Sequence, residues 1–280
     1  MISDLGRRAV RRVPGFGTIV VAAAVWIVLL GPFIVLITQV SPHSIEKSLS
    51  APGALTPLWT SLEASAVALG AMVVLGTPLA YLLARRRSRG ARLLEAGVII
   101  PLLMPPLVIG LLLIFLIGQA GPVGRVVTDI NPNVFGVNTF FALVVAEFYE
   151  AAPYYVISAA AALASVDERL EADAELLGDG RYGVFRRVTV PLAAPGIATG
   201  LAIAWARAMG AFGAVLIVAY NPAGLPIEID QTFIGSGLSP ALPFALLLIV
   251  AALPLPLLVL LWSARARERT LVPAAAGAMP

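Results

Sequence analysis

An all-α integral membrane protein with six transmembrane helices and both termini on the cytoplasmic face is the fold class predicted by this 280-residue sequence. Three observations predict it. Hydrophobic residues make up 59% of the chain and charged residues 12%, with a mean hydropathy of +0.93, a composition that a water-soluble domain cannot place on its surface. Six apolar runs are each long enough to cross roughly 30 Å of hydrocarbon at about 1.5 Å per residue. Lysine and arginine also segregate to alternate loops, which fixes the orientation.

In chain order, residues 1–17 form a basic arm carrying Arg7, Arg8, Arg11 and Arg12. The apolar run from Thr18 to about Val40 exceeds the core of a signal peptide, and no small-residue cleavage site follows it, so it reads as an uncleaved first span. Leu58–Ala84, Val98–Ile117, Asn138–Ala164, Leu192–Tyr220 and Ala241–Trp262 are the other five. Residues 18–262 thus form one membrane domain, and the tail 263–280 has no periodicity and is expected to be disordered. Gly31-Pro32, Pro78, Pro101, Pro105-Pro106, Pro153, Pro195, Pro243, Pro254 and Pro256 punctuate the spans, as suits a bundle that opens and closes. Gly196-x-x-x-Gly200 and Gly210-x-x-Gly213 would let another helix approach the fifth span closely.

Four arginines lie in the arm, five between Arg85 and Arg92, four between Ser165 and Pro191, and three in the tail. The opposite side holds only Lys47 and Arg125, while Arg207 falls inside the fifth span. Membrane topology therefore explains the pI of about 9.6, and no nucleic-acid partner is implied. There is no cysteine and His43 is the single histidine, which excludes thiolate and paired-histidine metal sites.

Ser165–Pro191 is the one long hydrophilic insert. Ser165-x-x-Glu168 has the pattern of a capping box, and Leu170, Ala174 and Leu177 give the following helix an apolar stripe beside an acidic face. Gly178 and Asp179-Gly180 end it. A second amphipathic turn sets Tyr182, Phe185 and Val188 against Arg181, Arg186 and Arg187, until Pro191 opens the next helix. A solvated interfacial loop is the plain reading of such an insert, and a surface shaped to be gripped by another protein is the sharper one.

Ionisable groups in the spans call for partners or a pathway, because each costs from about 2.5 kcal/mol upward at mid-membrane. Glu147 and Glu150 share a face of the fourth span, and Arg207 lies at similar depth in the antiparallel fifth. Glu150, ahead of Glu147, is the expected counter-ion of Arg207; separate snorkelling into wet cavities is the alternative. Glu228 and Asp230, on an external loop without basic residues, read as a docking surface or as solvated charge.

Gly178, nine residues, then Val188-Thr189-Val190-Pro191 resembles the signature loop of ABC-transporter permeases, which runs Glu-Ala-Ala, three residues, Gly, nine residues, an aliphatic, one residue, Leu-Pro. Here Ala172 stands at the glutamate position, Asp173 replaces the first alanine, Ala174 keeps the second, and Glu171 is the nearest glutamate. A second stretch, from Trp205 through Arg207, Gly210, Ala211, Phe212 and Gly213 to Tyr220-Asn221-Pro222, is similar to the fifth-span region of molybdate and tungstate permeases. Sulfate permeases look alike there, and Ala211 stands where those proteins usually carry glutamate.

The resemblance covers about Leu58–Trp262 and implies a type I importer permease fold in the cytoplasmic membrane. It implies a pair of permease copies surrounded by lipid, two ATP-hydrolysing subunits below, and an extracytoplasmic binding protein that delivers an oxyanion. Glu171, Asp173, Ala174, Leu177, Gly178, Tyr182, Phe185 and Pro191 then couple to the ATPase, and Arg207, Glu147, Glu150, Gly210, Phe212 and Gly213 line or tune the pathway.

This chain is expected to bind no cofactor, ATP and magnesium belonging to the partner, because its only lysine, Lys47, follows Glu46 and cannot complete a P-loop. It is expected to be no enzyme: Gly-x-Ser-x-Gly, His-Glu-x-x-His and Gly-x-Gly-Asp are absent. A permease for a cation (ferric iron, a polyamine or thiamine) remains open, since two glutamates and one arginine favour positive charge. A membrane-embedded enzyme or scaffold is the reading from another class.

Overall fold

The computed structural model describes residues 16–86, 88–131 and 133–263, so the basic arm before Phe16, Arg87 and the tail after Ser263 lie outside the described residues. Helices make up every regular element, and no strand occurs among the described residues. They are α1 (Phe16–Gln39), α2 (Pro42–Leu49), α3 (Thr56–Ala71), α4 (Thr77–Arg85), α5 (Arg89–Leu103), α6 (Pro106–Ile117), α7 (Pro122–Ile130), α8 (Phe140–Ala164), α9 (Glu168–Leu176), α10 (Arg181–Val184), α11 (Val190–Met209), α12 (Gly213–Val218), α13 (Leu225–Ser236) and α14 (Leu238–Ala252), the last continuing past Leu253 as helix to Ser263. Five stretches are long and apolar enough to cross a membrane, and α5 with α6 makes a sixth if that bent pair counts as one span.

Two of the predicted spans are broken. The third turns by 117° between Leu103 and Pro106, because Met104 and Pro105 take extended backbone ahead of the consecutive prolines. The fifth stops at Gly210 and resumes at Gly213 as the short α12.

Its cytoplasmic end also differs from expectation. Pro191 does not open a helix: Arg181–Met209 runs as one continuous helical stretch through a π turn at Phe185–Thr189. A matching π turn at Met72–Gly76 joins α3 to α4. Pro78 and Pro191 each stand two residues beyond a π turn, so the carbonyl each ring would strike, four residues back, lies within the widened turn.

The long helix α8 is the axis of the bundle, packed on α3, α4, α5, α11 and α12. One core cluster surrounds its outer half, with Ile109, Leu113 and Ile117 of α6 against Leu143, Val215 and Val218. A second surrounds its inner half, where Met72, Tyr155, Leu163, Ala204 and Ala208 are buried. Small residues set the spacing, as expected where lipid supplies no hydrophobic drive between helices. A Cβ on Gly196 would meet that of Ala162 at 2.5 Å, and one on Gly200 would meet that of Ser158 at 2.8 Å. The Gly196-x-x-x-Gly200 pair therefore seats α11 on α8, as expected. Of the other pair only Gly213 does this, 2.5 Å from the Cβ of Pro106, whereas Gly210 caps the end of α11. None of the apolar window of α1 is buried, and among the described residues α1 packs on α14.

Candidate functional site

Two clusters hold the charged residues that the sequence singled out, one inside the membrane and one at its arginine-rich face. The inner cluster sits where α11 breaks. Arg207, two residues before the end of α11, places a guanidinium nitrogen 3.2 Å from Glu150 Oε2, so the predicted pair forms. Glu150 Oε1 accepts the backbone N–H of Ala214 at 3.0 Å. Breaking a span leaves orphan N–H groups at the new helix start, and here the carboxylate that balances Arg207 also caps α12.

Glu147 does not join this pair: its Oε2 accepts the Ser65 hydroxyl at 2.9 Å, tying α8 to α3. One turn outward, Ser61 is buried and accepts the N–H of Leu225, fixing the start of α13. Arg207 also stands over the Tyr154 ring, 5.8 Å from its centroid. The burial is lopsided, with 1% of the Glu150 side chain exposed against 37% of that of Arg207. Both acids turn into the bundle while the cation reaches its margin. Gly210 is exposed and Phe212 half-buried, and buried Ala211 and Gly213 fill the packing around the break.

At the other cluster the chain turns from α8 into α9. The expected capping box is absent: Ser165 donates back to the Ala162 carbonyl, and Asp167 caps α9 by accepting the N–H of Arg169 at 2.9 Å. Asp167 follows the end of α8 closely enough to take the role, because α8 itself runs to Ala164. α9 closes as a Schellman motif, Asp179 N–H bonding the Ala174 carbonyl and Gly178 N–H that of Glu175. Gly178 has φ +99° with open space around it, so glycine is needed for backbone conformation and not for packing.

The predicted coupling residues divide into two sets. Leu177 is 90% exposed and Tyr182 76%, with Leu176 beside them at 85%. Asp173 and Pro191 are also exposed, and Ala174 is half-buried. Phe185 turns inward instead, its ring edge-to-face with Tyr81 at 5.1 Å, because the π turn rotates it onto α4. Glu171 is held internally by Arg85 and the Thr189 hydroxyl.

Sequence reasoning missed Ser61, Ser65, Arg85 and Thr189. Ser61 and Ser65, four apart in an apolar span, were the available signal. Glu228 and Asp230 lie on α13 and not on a loop, and both are half-buried. Among the described residues no group of three or more His, Cys, Asp or Glu could hold a metal.

The family model for the inner membrane component of binding-protein-dependent transport systems matches residues 76–268. A "Probable molybdenum ABC transporter permease protein" of Haloferax volcanii is 38% identical over 242 residues, 86% of this chain and 88% of that protein. The "Molybdate/tungstate transport system permease protein WtpB" of Thermococcus kodakarensis is 33% identical over 210 residues, 75% of this chain and 78% of that protein.

Among solved structures, a chain of a bacterial alginate ABC transporter in complex with a periplasmic protein superposes with a TM-score of 0.66 at 18% identity, covering 89% of this chain and 93% of that one. A chain of the MetNI methionine ABC transporter gives 0.54 at 21% identity, covering 77% and 94%. These last two speak for the fold alone. The apolar spans and the family match agree: the chain belongs to the binding-protein-dependent transport permeases, as a multi-pass membrane subunit of an ABC importer.

Proposed function

We propose that this chain forms the translocation pathway for a molybdate- or tungstate-class oxyanion in the cytoplasmic membrane. Two copies pair within lipid, two ATP-hydrolysing subunits dock at residues 165–191, and an external binding protein delivers the anion. The chain binds no ATP or magnesium and catalyses no reaction; those belong to the partner, since no P-loop is present.

The observation that carries the substrate's sign is the lopsided burial at the broken span. Composition alone favours a cation, with two glutamates to one arginine. Glu150 is neutralised and Glu147 is hydrogen-bonded, both nearly sealed from outside, whereas Arg207 keeps 37% of its side chain exposed. A passing solute meets the positive member of the cluster. The molybdenum and tungstate names of the relatives support the same class.

Uptake by the complete transporter in proteoliposomes tests this reading, with molybdate, tungstate and sulfate compared against ferric iron, a polyamine and thiamine. Molybdate or tungstate should be taken up and the cations not. ATP-dependent uptake of a cation alone would overturn the assignment, and sulfate uptake without the other two would move it to the neighbouring class of oxyanion.

A further inference from the structure

We infer that Glu171 works inside this chain, as the central link of a clamp that fastens α9 to the cytoplasmic ends of two spans, and not as a contact to the ATP-hydrolysing subunit. Its Oε1 takes hydrogen bonds from Arg85 Nη2, at the end of α4, and from Thr189 Oγ1, in the π turn that leads into α11. Arg85 Nη1 also reaches the Val166 carbonyl at 3.4 Å and lies 3.8 Å from Glu168. One guanidinium thus grips the α8–α9 joint and α9 together.

The clamp is shielded: 14% of the Arg85 side chain and 15% of that of Glu171 are exposed, and Thr189 is fully buried. A carboxylate so enclosed, with two donors already on one oxygen, is poorly placed for a partner's cation. The surface left for a partner is the apolar tip Leu176, Leu177 and Tyr182, about a turn away on α9 and just across the Gly178 hinge. Asp179, paired with Arg187 at 2.7 Å, straps that hinge to the same π turn. The division of labour follows: the tip receives the push, and the clamp delivers it to α4 and α11 at once. A helix of nine residues would otherwise lack the contacts to pass a force on without swinging loose.

This inference rests on the reading that the ATP-hydrolysing subunits dock on α9. The test uses the full transporter in proteoliposomes and compares Arg85→Gln, Glu171→Gln, Thr189→Val, the double Arg85→Gln/Glu171→Gln and the swap Arg85→Glu/Glu171→Arg. It measures retention of the ATP-hydrolysing subunits and uptake per ATP hydrolysed. Each glutamine variant should keep the subunits bound and lower uptake per ATP by about tenfold, the scale of one charged hydrogen bond. The double variant should be no worse than either single one, and the swap should recover part of the loss. Thr189→Val should give a smaller loss, about threefold for one neutral hydrogen bond.

Release of the subunits by Glu171→Gln but not by Arg85→Gln would overturn the inference, as would additive losses. Should the charge variants fail to assemble, the nearly isosteric Thr189→Val decides alone, and an unchanged ratio overturns the clamp. If the unaltered transporter moves no oxyanion, the substrate reading fails; the clamp is then read from stimulation of ATP hydrolysis by the loaded binding protein.

Discussion

Arg207–Glu150 and Arg85–Glu171 are the same pair of residue types used at two depths. Each carboxylate joins three pieces of chain: Glu150 ties α8 to α11 and to the start of α12, and Glu171 ties α9 to α4 and to the turn at 185–189. The difference lies in what could replace a lost partner. Beside Glu171, Arg85 keeps the Val166 carbonyl and lies 3.8 Å from Glu168, so a guanidinium that loses Glu171 still has acceptors. Glu150 is sealed inside the bundle, and removing it leaves the Ala214 N–H at the start of α12 without its acceptor and takes the carboxylate from the partly exposed Arg207. The inner pair therefore also holds the start of α12, whereas the outer pair takes only side-chain donors and, as the clamp proposed above, should matter more for transmission than for folding.

Glu150→Ala should have the largest effect, about 2–4 kcal/mol: it leaves the buried Ala214 N–H unpaired and Arg207 unbalanced, below the cost of a fully buried pair because Arg207 is partly exposed. The expected outcome is little folded protein in detergent by size exclusion. Glu171→Ala should cost about 1–2 kcal/mol, one charged hydrogen bond lost while Arg85 keeps other acceptors, and leave insertion intact. Equal losses from the two would break the comparison.

Next in size is Gly213→Ala. Its Cβ would lie 2.5 Å from that of Pro106 and 3.1 Å from the Leu107 nitrogen, so α6 and α12 must separate at a cost of about 1–3 kcal/mol. A lowered thermal midpoint checks it.

The charge swap Glu150→Arg/Arg207→Glu sharpens the inner half of the comparison. It restores the pair but not the cap, because an arginine at 150 cannot accept the Ala214 N–H. Insertion should recover and uptake only in part; complete recovery would show that the cap contributes nothing.

The smallest stability effect belongs to Gly178→Ala, about 1–2 kcal/mol of local backbone strain at φ +99° with no steric contact. Gly178→Pro also deletes the N–H bonded to Glu175 and should reduce uptake per ATP while insertion is kept. Unimpaired uptake would remove the hinge from the mechanism.

Hydropathy and arginine placement made the spans legible, because lipid leaves the backbone few ways to cross. The arginine-bearing segments that follow α4 and α8 do share one face, since Arg85 reaches Val166 and Glu171. The Arg207–Glu150 pair was legible from depth alone, as two antiparallel helices bring residues of equal depth together. The breaks were not. Proline and glycine mark where a helix can bend, but whether Pro105 bends the chain by 117° or Pro153 lets α8 continue depends on what packs against each.

The role of Glu171 was hidden for a related reason. Its sequence position matches a helix face that points outward in isolation, and only the return of Arg85 and Thr189 from distant segments encloses it. Ser165 lost the cap to Asp167 by two residues, a shift within the ordinary uncertainty of helix ends.

Tungstate uptake by Arg207→Gln and Arg207→Lys transporters, with ATP hydrolysis followed in the same vesicles, tests the central claim most directly. A partly exposed cation balanced by a sealed carboxylate predicts that Arg207→Gln, whose amide can still donate to Glu150 and so keep the fold, loses uptake while ATP hydrolysis persists, and that Arg207→Lys keeps a measurable fraction. Undiminished tungstate uptake by Arg207→Gln would remove Arg207 from the anion's route.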